Sequence, residues 1–192
     1  MQKKHIITLA GKLGSGKSST ANRIAEILSY ERASTGDFMR AIAEKRSVTL
    51  GELSIAAEND PSIDIELDDY NRVIGAKKNI VLDSRLGFFF IPESFKVFLE
   101  LDPSVAAARI LKDAEQNPAR HKEIRGEFNT VEAISAGINA RLDSERKRYK
   151  ELYHINDQTA PENFDLVIDT ATLPLEEVAQ KIVEEYQKWL AV

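Results

Sequence analysis

The most informative stretch of this sequence is a glycine-rich loop, Gly11-Lys12-Leu13-Gly14-Ser15-Gly16-Lys17-Ser18. It fits the pattern G-x-x-x-x-G-K-[ST], in which backbone N–H groups surround phosphate oxygens at the start of a helix. We expect Lys17 to place its ammonium on the β- and γ-phosphates. We expect the Ser18 hydroxyl to bind Mg²⁺, a hard cation that prefers oxygen ligands. The motif therefore predicts binding of a nucleoside triphosphate together with Mg²⁺.

The loop alone does not name a reaction, because small kinases, switch GTPases and motor ATPases share it. A switch GTPase needs a guanine-reading N-K-x-D segment, and none is present: Asn117 precedes Pro118, and Asn156 precedes Asp157. At 192 residues, the chain is also shorter than most oligomeric motor ATPases. A small phosphotransferase is therefore the favoured class.

Charged residues follow two further apolar runs, at the ends where parallel strands gather their ligands. The first segment is Ser34-Thr35-Gly36-Asp37-Phe38-Met39-Arg40, and the second is Asp83-Ser84-Arg85. Asp83 is a candidate for the acid that steadies the Mg²⁺ shell, and Arg40 with Arg85 indicates a second anionic substrate. The alternatives are helix or turn caps and a surface arginine.

A third group of candidates lies in the basic stretch Arg141–Lys150. Arg141, Glu145 and Arg148 are spaced by four and three residues, so they share one helical face. Such a helix would close over the γ-phosphate and exclude water. The alternatives are a solvated charged helix and, more weakly given the acidic total, a nucleic-acid patch. An acceptor that is itself a phosphate is already a nucleophile near neutral pH, so no general base is then needed.

Alternating strands and helices must position these residues. Short apolar runs predict strands at Ile6–Ala10, Tyr30–Ser34, Asn79–Asp83, Phe95–Leu101 and Phe164–Asp169. Helical patterns cover Lys17–Ser29, Thr35–Arg46, Leu50–Glu58, Ser62–Ala76, Ser104–Gln116, Thr130–Leu152 and Leu175–Trp189. The alternation predicts the α/β class with a parallel sheet, whose strands are buried on both faces.

Composition limits the other possibilities. The 192 residues suit one domain, with 43% hydrophobic and 30% charged residues and a formal charge of −5. The absence of Cys excludes disulfides, thiolate zinc sites and a cysteine nucleophile. The acidic balance argues against a mainly nucleic-acid-binding chain. Because the longest apolar stretches are short, such as residues 86–92, we expect no signal peptide and no membrane span. We expect a cytoplasmic monomer.

Taken together, these segments resemble the cytidylate kinase family, most closely its short type common in archaea and some bacteria. The landmarks cover nearly the whole chain: GKLGSGKSS, STGDFMR, VLDSRLGFFF, LDPSVAAARI, SERKRYKELYHI and FDLVIDT. The phosphate loop is widely shared, whereas the combination of STGD-x-x-R, D-x-R-L-x-G and the basic segment is much more specific. The resemblance implies transfer of the γ-phosphate of ATP to CMP or dCMP, giving ADP and CDP or dCDP.

The resemblance also implies a fold and roles for residues. The fold is the three-layer α/β/α arrangement of P-loop NTPases, with a five-stranded parallel sheet of order 2-3-1-4-5. The core would span residues 1–34, 78–116 and 160–192, the monophosphate-binding part 35–77 and the lid 117–150. ATP would lie on residues 11–19, including Ser19, with Arg109 near its adenine. The acceptor would lie on Ser34, Thr35, Asp37, Arg40, Asp83, Arg85 and Glu145. Lys17, Arg141 and Arg148 would act on the transferred phosphoryl group.

Several departures from the family pattern leave the base specificity open. Ser84 stands where the family often has Gly, and the run of phenylalanines at 88–90 is either core or a wall of the base pocket. The basic stretch 116–127 is longer than expected. The acidic segment Glu58–Asp69 holds six carboxylates in twelve residues, which favours a solvated helix over a metal site. His5, His121 and His154 show no metal-ligand spacing and are interpreted as structural.

A P-loop kinase for another monophosphate, UMP or AMP, stays open at this point, and so do two further function classes. A kinase acting on a small-molecule hydroxyl would need a carboxylate base near the acceptor oxygen, and Asp37 or Asp83 would supply it. A non-catalytic nucleotide-binding switch would bind ATP without turnover. The acceptor monophosphate distinguishes the leading hypothesis from both, since it requires arginines on its phosphate.

Overall fold

The computed structural model of the chain describes residues 3–116 and 130–192, apart from the side chains of residues 113–116. Its parallel sheet has five strands in the order β2-β3-β1-β4-β5. The strands are β1 (Ile6–Gly11), β2 (Glu31–Ser34), β3 (Ile80–Asp83), β4 (Phe95–Glu100) and β5 (Leu166–Asp169). All six residues of β1 are buried, as the continuous apolar run predicts for a central strand.

The strand register brings the candidate residues to one edge of the sheet. Asp83 at the end of β3 is aligned with Leu9 of β1 and with Ser34 of β2. Gly11 at the end of β1 is aligned with Leu99 of β4. The phosphate loop and the segments after β2 and β3 therefore begin side by side, where a doubly wound sheet binds ligands.

Eight α-helices are described in these parts of the chain. They are α1 (Lys17–Leu28), α2 (Thr35–Lys45), α3 (Leu50–Ala56), α4 (Pro61–Gly75), α5 (Gly87–Phe90), α6 (Pro103–Gln116), α7 (Val131–Tyr153) and α8 (Leu175–Ala191). Local signals explain several starts: Ser34 caps α2, Thr49 and Glu52 form a capping box at α3, and Asp60 caps α4 before Pro61.

The helices cover both faces of the sheet. On one face, the main apolar core joins β1 and β4 to α1 and α8, with Leu9, Ile24, Val97 and Ile182 fully buried. On the other face, Ile6, Ile80 and Leu82 pack with Ile74 of α4. Helices α6 and α7 form a separate apolar contact near the phosphate loop. The result is the three-layer α/β/α arrangement.

The predicted fold class and strand order are confirmed. Each predicted strand and helix bound lies within two residues of the observed one. The short helix α5 and a 3₁₀ turn at Pro161–Asn163 were not predicted. Residues 117–129, which hold most of the predicted basic stretch and the start of the predicted lid, lie outside the described residues. Within the described residues, none of the helices has the length and apolar character to cross a membrane.

Candidate active site

The phosphate loop has the strand–loop–helix geometry that its sequence predicts. It leaves β1 at Gly11, and α1 begins at Lys17 with no side chain capping its first turn. Lys17 Nζ donates hydrogen bonds of 2.9 Å to the carbonyls of Gly11 and Lys12. The ammonium therefore folds back over the loop, at the positive end of the helix where phosphates bind.

Close packing explains two of the glycines in this loop, Gly11 and Gly14. Gly11 has φ +155°, and a Cβ there would lie 2.6 Å from the carbonyl oxygen of Leu99. Gly14 has φ +76°, and a Cβ there would lie 2.9 Å from the carbonyl oxygen of Ala106. The loop can therefore pass this close to β4 and α6 only without side chains.

The remaining residues of the ATP-binding set differ in their surroundings. Lys12 forms an ion pair with Glu100 at the end of β4, and Leu13 packs against the apolar contact between α6 and α7. The hydroxyl of Ser15 is buried and has no hydrogen-bond partner among the described residues. Ser19 is exposed in the first turn of α1. The predicted ATP-binding set is therefore contiguous in space.

Lys17 lies in a strongly charged environment. Burial is the main reason that the pKa of Lys17 falls to about 8, and the carboxylate of Asp83 opposes that shift. The guanidinium groups of Arg85 and Arg141 act in the same direction as burial. Residues predicted separately from three parts of the sequence therefore affect one another electrostatically in the folded chain.

Ser18 and Asp83 meet at the predicted metal position. Ser18 Oγ donates a hydrogen bond of 2.9 Å to Oδ2 of Asp83, whose side chain is buried at the end of β3. Arg32 Nη2 lies 3.8 Å from the same oxygen. A hydroxyl and a carboxylate on adjoining elements are ligands that suit Mg²⁺, so these residues fit the predicted ion.

The predicted acceptor arginine Arg85 shares a buried carboxylate with the predicted lid arginine Arg141. Glu145 is 3% exposed, and its Oε1 lies 3.0 Å from Arg85 Nη1 and 3.0 Å from Arg141 Nε. Burial acts to lower the pKa of Arg85, but Glu145, Tyr149 and Asp83 together outweigh burial and raise that pKa. The neighbouring Arg85 and burial lower the pKa of Arg141. Two guanidinium groups therefore share one anion, which leaves positive charge for a phosphate.

The segment after β2 adds Arg40 to the same side of the sheet. Ser34 Oγ accepts from the backbone N–H of Asp37 at 3.2 Å, which starts α2. Thr35 Oγ1 donates to the carbonyl oxygen of Asp83 at 3.3 Å, so α2 begins over the end of β3. The carboxylate of Asp37 pairs with Arg40 and, at 2.8 Å, with Arg32. The pKa of Asp37 is lowered. Burial acts to raise it, but the hydrogen bonds and positive charges of Arg40 and Arg32 together outweigh burial.

Arg148 of α7 pairs with a buried carboxylate of α4. Its Nη1 donates hydrogen bonds of 3.0 and 2.8 Å to the two carboxylate oxygens of Asp64 in α4. Arg148 is therefore bonded to the predicted monophosphate-binding part, and its role on the transferred phosphoryl group stays a prediction. Glu145, about one turn earlier on the same helix, pairs with Arg85 and also with Arg141, which lies about two turns before Arg148.

Sequence reasoning missed the carboxylates of α4. The prediction of a solvated helix at Glu58–Asp69 is wrong for Asp64 and Asp68, which are 5% and 8% exposed. With Asn71, which is 3% exposed, they are spaced by four and three residues and share the inward face of α4. That spacing was available in the sequence, but a polar stripe is normally assigned to the solvent side of a helix.

Arg109 lies on α6, the helix that packs against the phosphate loop. Its Nη2 donates to the carbonyls of Thr170 and Ala171 at 2.8 and 2.9 Å, just after β5. Ala106, three residues earlier on the same helix, lies against Gly14 of the phosphate loop. A contact between Arg109 and adenine stays a prediction.

Comparison with known proteins places this site in a family. Residues 7–134 match a family described as an AAA domain. The chain is 38% identical over 171 residues to a cytidylate kinase of Halobacterium salinarum, covering 86% of this chain and 81% of that protein. It is 37% identical to an S-adenosylmethionine-dependent nucleotide dehydratase of Lacinutrix mariniflava, covering 97% of this chain but 37% of that protein's length.

A solved structure agrees with the architecture. The shikimate kinase of Bacteroides thetaiotaomicron superposes with a TM-score of 0.64 at 16% identity, covering 97% of this chain and 98% of that one. At this level of identity, the likeness concerns the fold alone. The sequence matches and the phosphate-loop geometry together show that the chain belongs to the cytidylate kinase family of P-loop kinases.

Proposed function

We propose that this protein is a cytidylate kinase, which transfers the γ-phosphate of ATP to CMP or dCMP and releases ADP and CDP or dCDP. The observation that carries the proposal is the shared carboxylate of Glu145, with Arg85 and Arg141 both 3.0 Å from it, in electrostatic reach of Lys17. Lys17, Arg85 and Arg141 are three buried or half-buried cations with few anions beside them. Such an excess of positive charge suits the binding of two phosphorylated substrates. The cytidylate kinase relative supports the choice of base.

The reaction would use a phosphate oxygen of the acceptor as the nucleophile. That oxygen forms a bond to the γ-phosphorus, the bond from the γ-phosphorus to the β–γ bridging oxygen breaks, and the electron pair leaves with ADP. Because the attacking oxygen is already anionic near neutral pH, no side chain needs to remove a proton. Mg²⁺ bound beside Ser18 and Asp83 would supply charge neutralisation on the donor phosphates.

The chain's own residues divide these tasks. The loop of residues 11–19 would hold the ATP phosphates, and Arg40 and Arg85 would hold the acceptor phosphate as paired donors. Lys17 and Arg141 would neutralise charge on the phosphoryl group in transfer. Glu145 would help place the sugar of the acceptor. Arg148, which the resemblance also assigns to the transferred phosphoryl group, is bonded to Asp64 in this structure.

A kinase for a small-molecule hydroxyl is the second candidate, because shikimate kinase has the same fold. It would need a carboxylate free to take a proton. In this chain Asp37 is paired with Arg32 and Arg40, and Asp83 accepts the Ser18 hydroxyl. These contacts favour positioning and metal binding over base catalysis, so they support the nucleotide acceptor.

A coupled assay of ADP release tests the proposal. The purified chain is given ATP, Mg²⁺ and, in turn, CMP, dCMP, UMP, AMP, GMP and shikimate. We expect the highest kcat/KM with CMP or dCMP. No turnover with any of the five monophosphates, despite measurable ATP binding, would favour the non-catalytic switch. Turnover with shikimate alone would favour the hydroxyl kinase.

A further inference from the structure

Two buried carboxylates on α4 have no part in the proposed phosphoryl transfer. Asp64 and Asp68 are 5% and 8% exposed and lie one turn apart on the same face. Carboxylates are almost never buried this deeply unless they are paired or used by a ligand. Burial raises the pKa of both groups, because the buried surroundings disfavour the charged form of each carboxylate.

Helix α7 places Asp64 next to the proposed acceptor-phosphate site. Glu145 of α7 pairs with Arg85 at 3.0 Å, and Arg148 of α7 donates to Asp64 at 2.8 Å. Three residues of α-helix separate Glu145 from Arg148, which is about 4.5 Å along the helix axis. Asp64 is therefore bonded to the residue about one turn after the one that pairs with Arg85, and it lies in electrostatic reach of Glu145 itself.

Farther along α7, Tyr153 contacts Asp68 at a cavity that is lined in part by aromatic residues. Tyr153 donates its hydroxyl to Asp68 Oδ1 at 2.9 Å, about 12 Å beyond Glu145 along the axis of α7. A cavity of about 530 Å³ is lined by both carboxylates together with Phe89, Phe90 and Tyr153. Arg85 and Glu145 do not line this cavity, so a nucleoside monophosphate held by its phosphate at Arg85 has to reach along α7 to bring its base here.

Two buried polar atoms near these carboxylates lack hydrogen-bond partners among the described residues. Arg148 Nε is buried and has no hydrogen-bond partner among the described residues, and the same holds for Glu145 Oε2. Among the described side chains, Asp64 accepts from Arg148, and Asp68 accepts from Tyr153. Each carboxylate has about four acceptor positions, so the pair can accept further donors. The crevice thus offers spare acceptors beside an unused donor.

We propose that Asp64 and Asp68 determine base specificity by accepting hydrogen bonds from the exocyclic 4-amino group of cytosine, while Arg148 Nε donates to its ring N3 or O2. This rests on the proposed function. Cytosine carries a donor beside two acceptors, which complements these groups, and carboxylates are suited to its amino group. Uracil presents a carbonyl and an N–H at the same two positions, so its oxygen would face a carboxylate and its N–H would face a guanidinium.

The first test uses the unmodified protein and two acceptors. CMP is compared with the monophosphate of pyrimidin-2-one riboside, which keeps N3 and O2 but lacks the 4-amino group. A hydrogen bond to a charged group is worth at least about tenfold, so we expect kcat/KM to fall by at least that factor. Equal kcat/KM for the two acceptors would overturn the proposal, and no variant has to fold for this result.

The second test compares Asp64→Asn and Asp68→Asn with the unmodified chain on CMP and UMP. A carboxamide can donate to the uracil carbonyl, so we expect the CMP-to-UMP ratio of kcat/KM to fall by about tenfold or more in at least one variant. A merely structural contact would lower both acceptors by one factor and leave the ratio unchanged, and that outcome in both variants would overturn the proposal. Thermal unfolding and ATP binding of each variant verify that it is folded.

Glu58→Gln is the matched control. Glu58 also ties α7 to the monophosphate-binding part, since it accepts the Ser144 hydroxyl at 2.6 Å, but its side chain is exposed. We expect Glu58→Gln to keep the CMP-to-UMP ratio. If the unmodified chain turns over no monophosphate, the proposed function itself fails; if it turns over CMP with the ratio unmoved by either variant, only the specificity proposal fails.

Discussion

The hydroxyl of Ser18 donates a hydrogen bond of 2.9 Å to Asp83, a residue 65 positions away in the sequence. The bond joins the first turn of α1 to the end of β3. It brings together the two oxygen groups that the sequence predicts for the Mg²⁺ site, from segments that are adjacent only because β1 and β3 pair in parallel. Because both groups are predicted to bind the same ion, we expect variants of Ser18 and of Asp83 to change the Mg²⁺ requirement in the same way.

Ser18→Ala and Asp83→Asn are each expected to raise the Mg²⁺ concentration for half-maximal activity by about tenfold or more. The reason is that each change removes an oxygen ligand or its orienting partner. Mg²⁺ titration of ADP release at saturating ATP measures the effect. Asp102→Asn serves as the control, because Asp102 is an exposed cap of α6 that bonds Ser104. An unchanged Mg²⁺ requirement in both variants would place the ion elsewhere.

Arg40→Ala and Arg85→Ala are each expected to raise KM for the acceptor monophosphate by about tenfold to a hundredfold, because each removes a charged donor to its phosphate. KM for ATP should change little. Steady-state kinetics with each substrate varied in turn separate the two effects. Arg23→Ala is the matched control, since Arg23 is a partly exposed arginine of α1 paired with Glu176. Acceptor KM unmoved in both variants would contradict the nucleotide-acceptor proposal.

Gly11→Ala is expected to destabilise the fold by about 2 kcal/mol or more, because its Cβ would lie 2.6 Å from the carbonyl oxygen of Leu99 at a φ of +155°. For a chain of this size, that corresponds to a fall in Tm of about 4–8 °C. In the control Gly51→Ala, the nearest atom to the new Cβ is Thr49 Oγ1 at 3.9 Å, within helix α3. That change should keep or raise the Tm, and equal losses in both variants would rule out the steric explanation.

Asp68→Asn is expected to flatten the pH dependence of stability. Burial raises the pKa of Asp68 above its ordinary value of 3.8. Between 3.8 and that higher native pKa, the folded chain binds more protons than the unfolded chain, so the contribution of Asp68 to stability falls as the pH rises. Urea unfolding across that interval should show a smaller decline for the variant. An identical slope in both proteins would mean that the carboxyl has the same pKa in the folded and unfolded chains.

The phosphate loop and the parallel sheet could both be predicted from the sequence because their signals are local. The loop's residues are contiguous, and each buried strand is a single apolar run, so neither needs information from distant parts of the chain. The sequence also placed Arg85 just after β3 and Arg40 in the helix that follows β2, while their contact with an acceptor phosphate stays a prediction. Bounds of helices agreed closely where caps such as Ser34 and Thr49 mark their starts.

The partners of these residues could not be predicted in the same way. Glu145 was expected on a helical face with Arg141 and Arg148, but helix spacing cannot say that Arg85 would share its carboxylate. The pairing of Arg148 with Asp64 joins residues 84 positions apart and depends on how α7 crosses α4. Such contacts result from packing between elements, for which periodicity carries no information.

By itself, the sequence determined the phosphate-binding chemistry and the α/β class, because glycine spacing and apolar runs act through local backbone conformation. Only the tertiary structure decided that Asp64 and Asp68 are buried and that Arg148 lies on Asp64. The physical reason is that an acidic helix can turn a polar face inward when another element supplies donors, as Arg148 and Tyr153 of α7 do here. Those donors become neighbours of α4 only once the chain has folded.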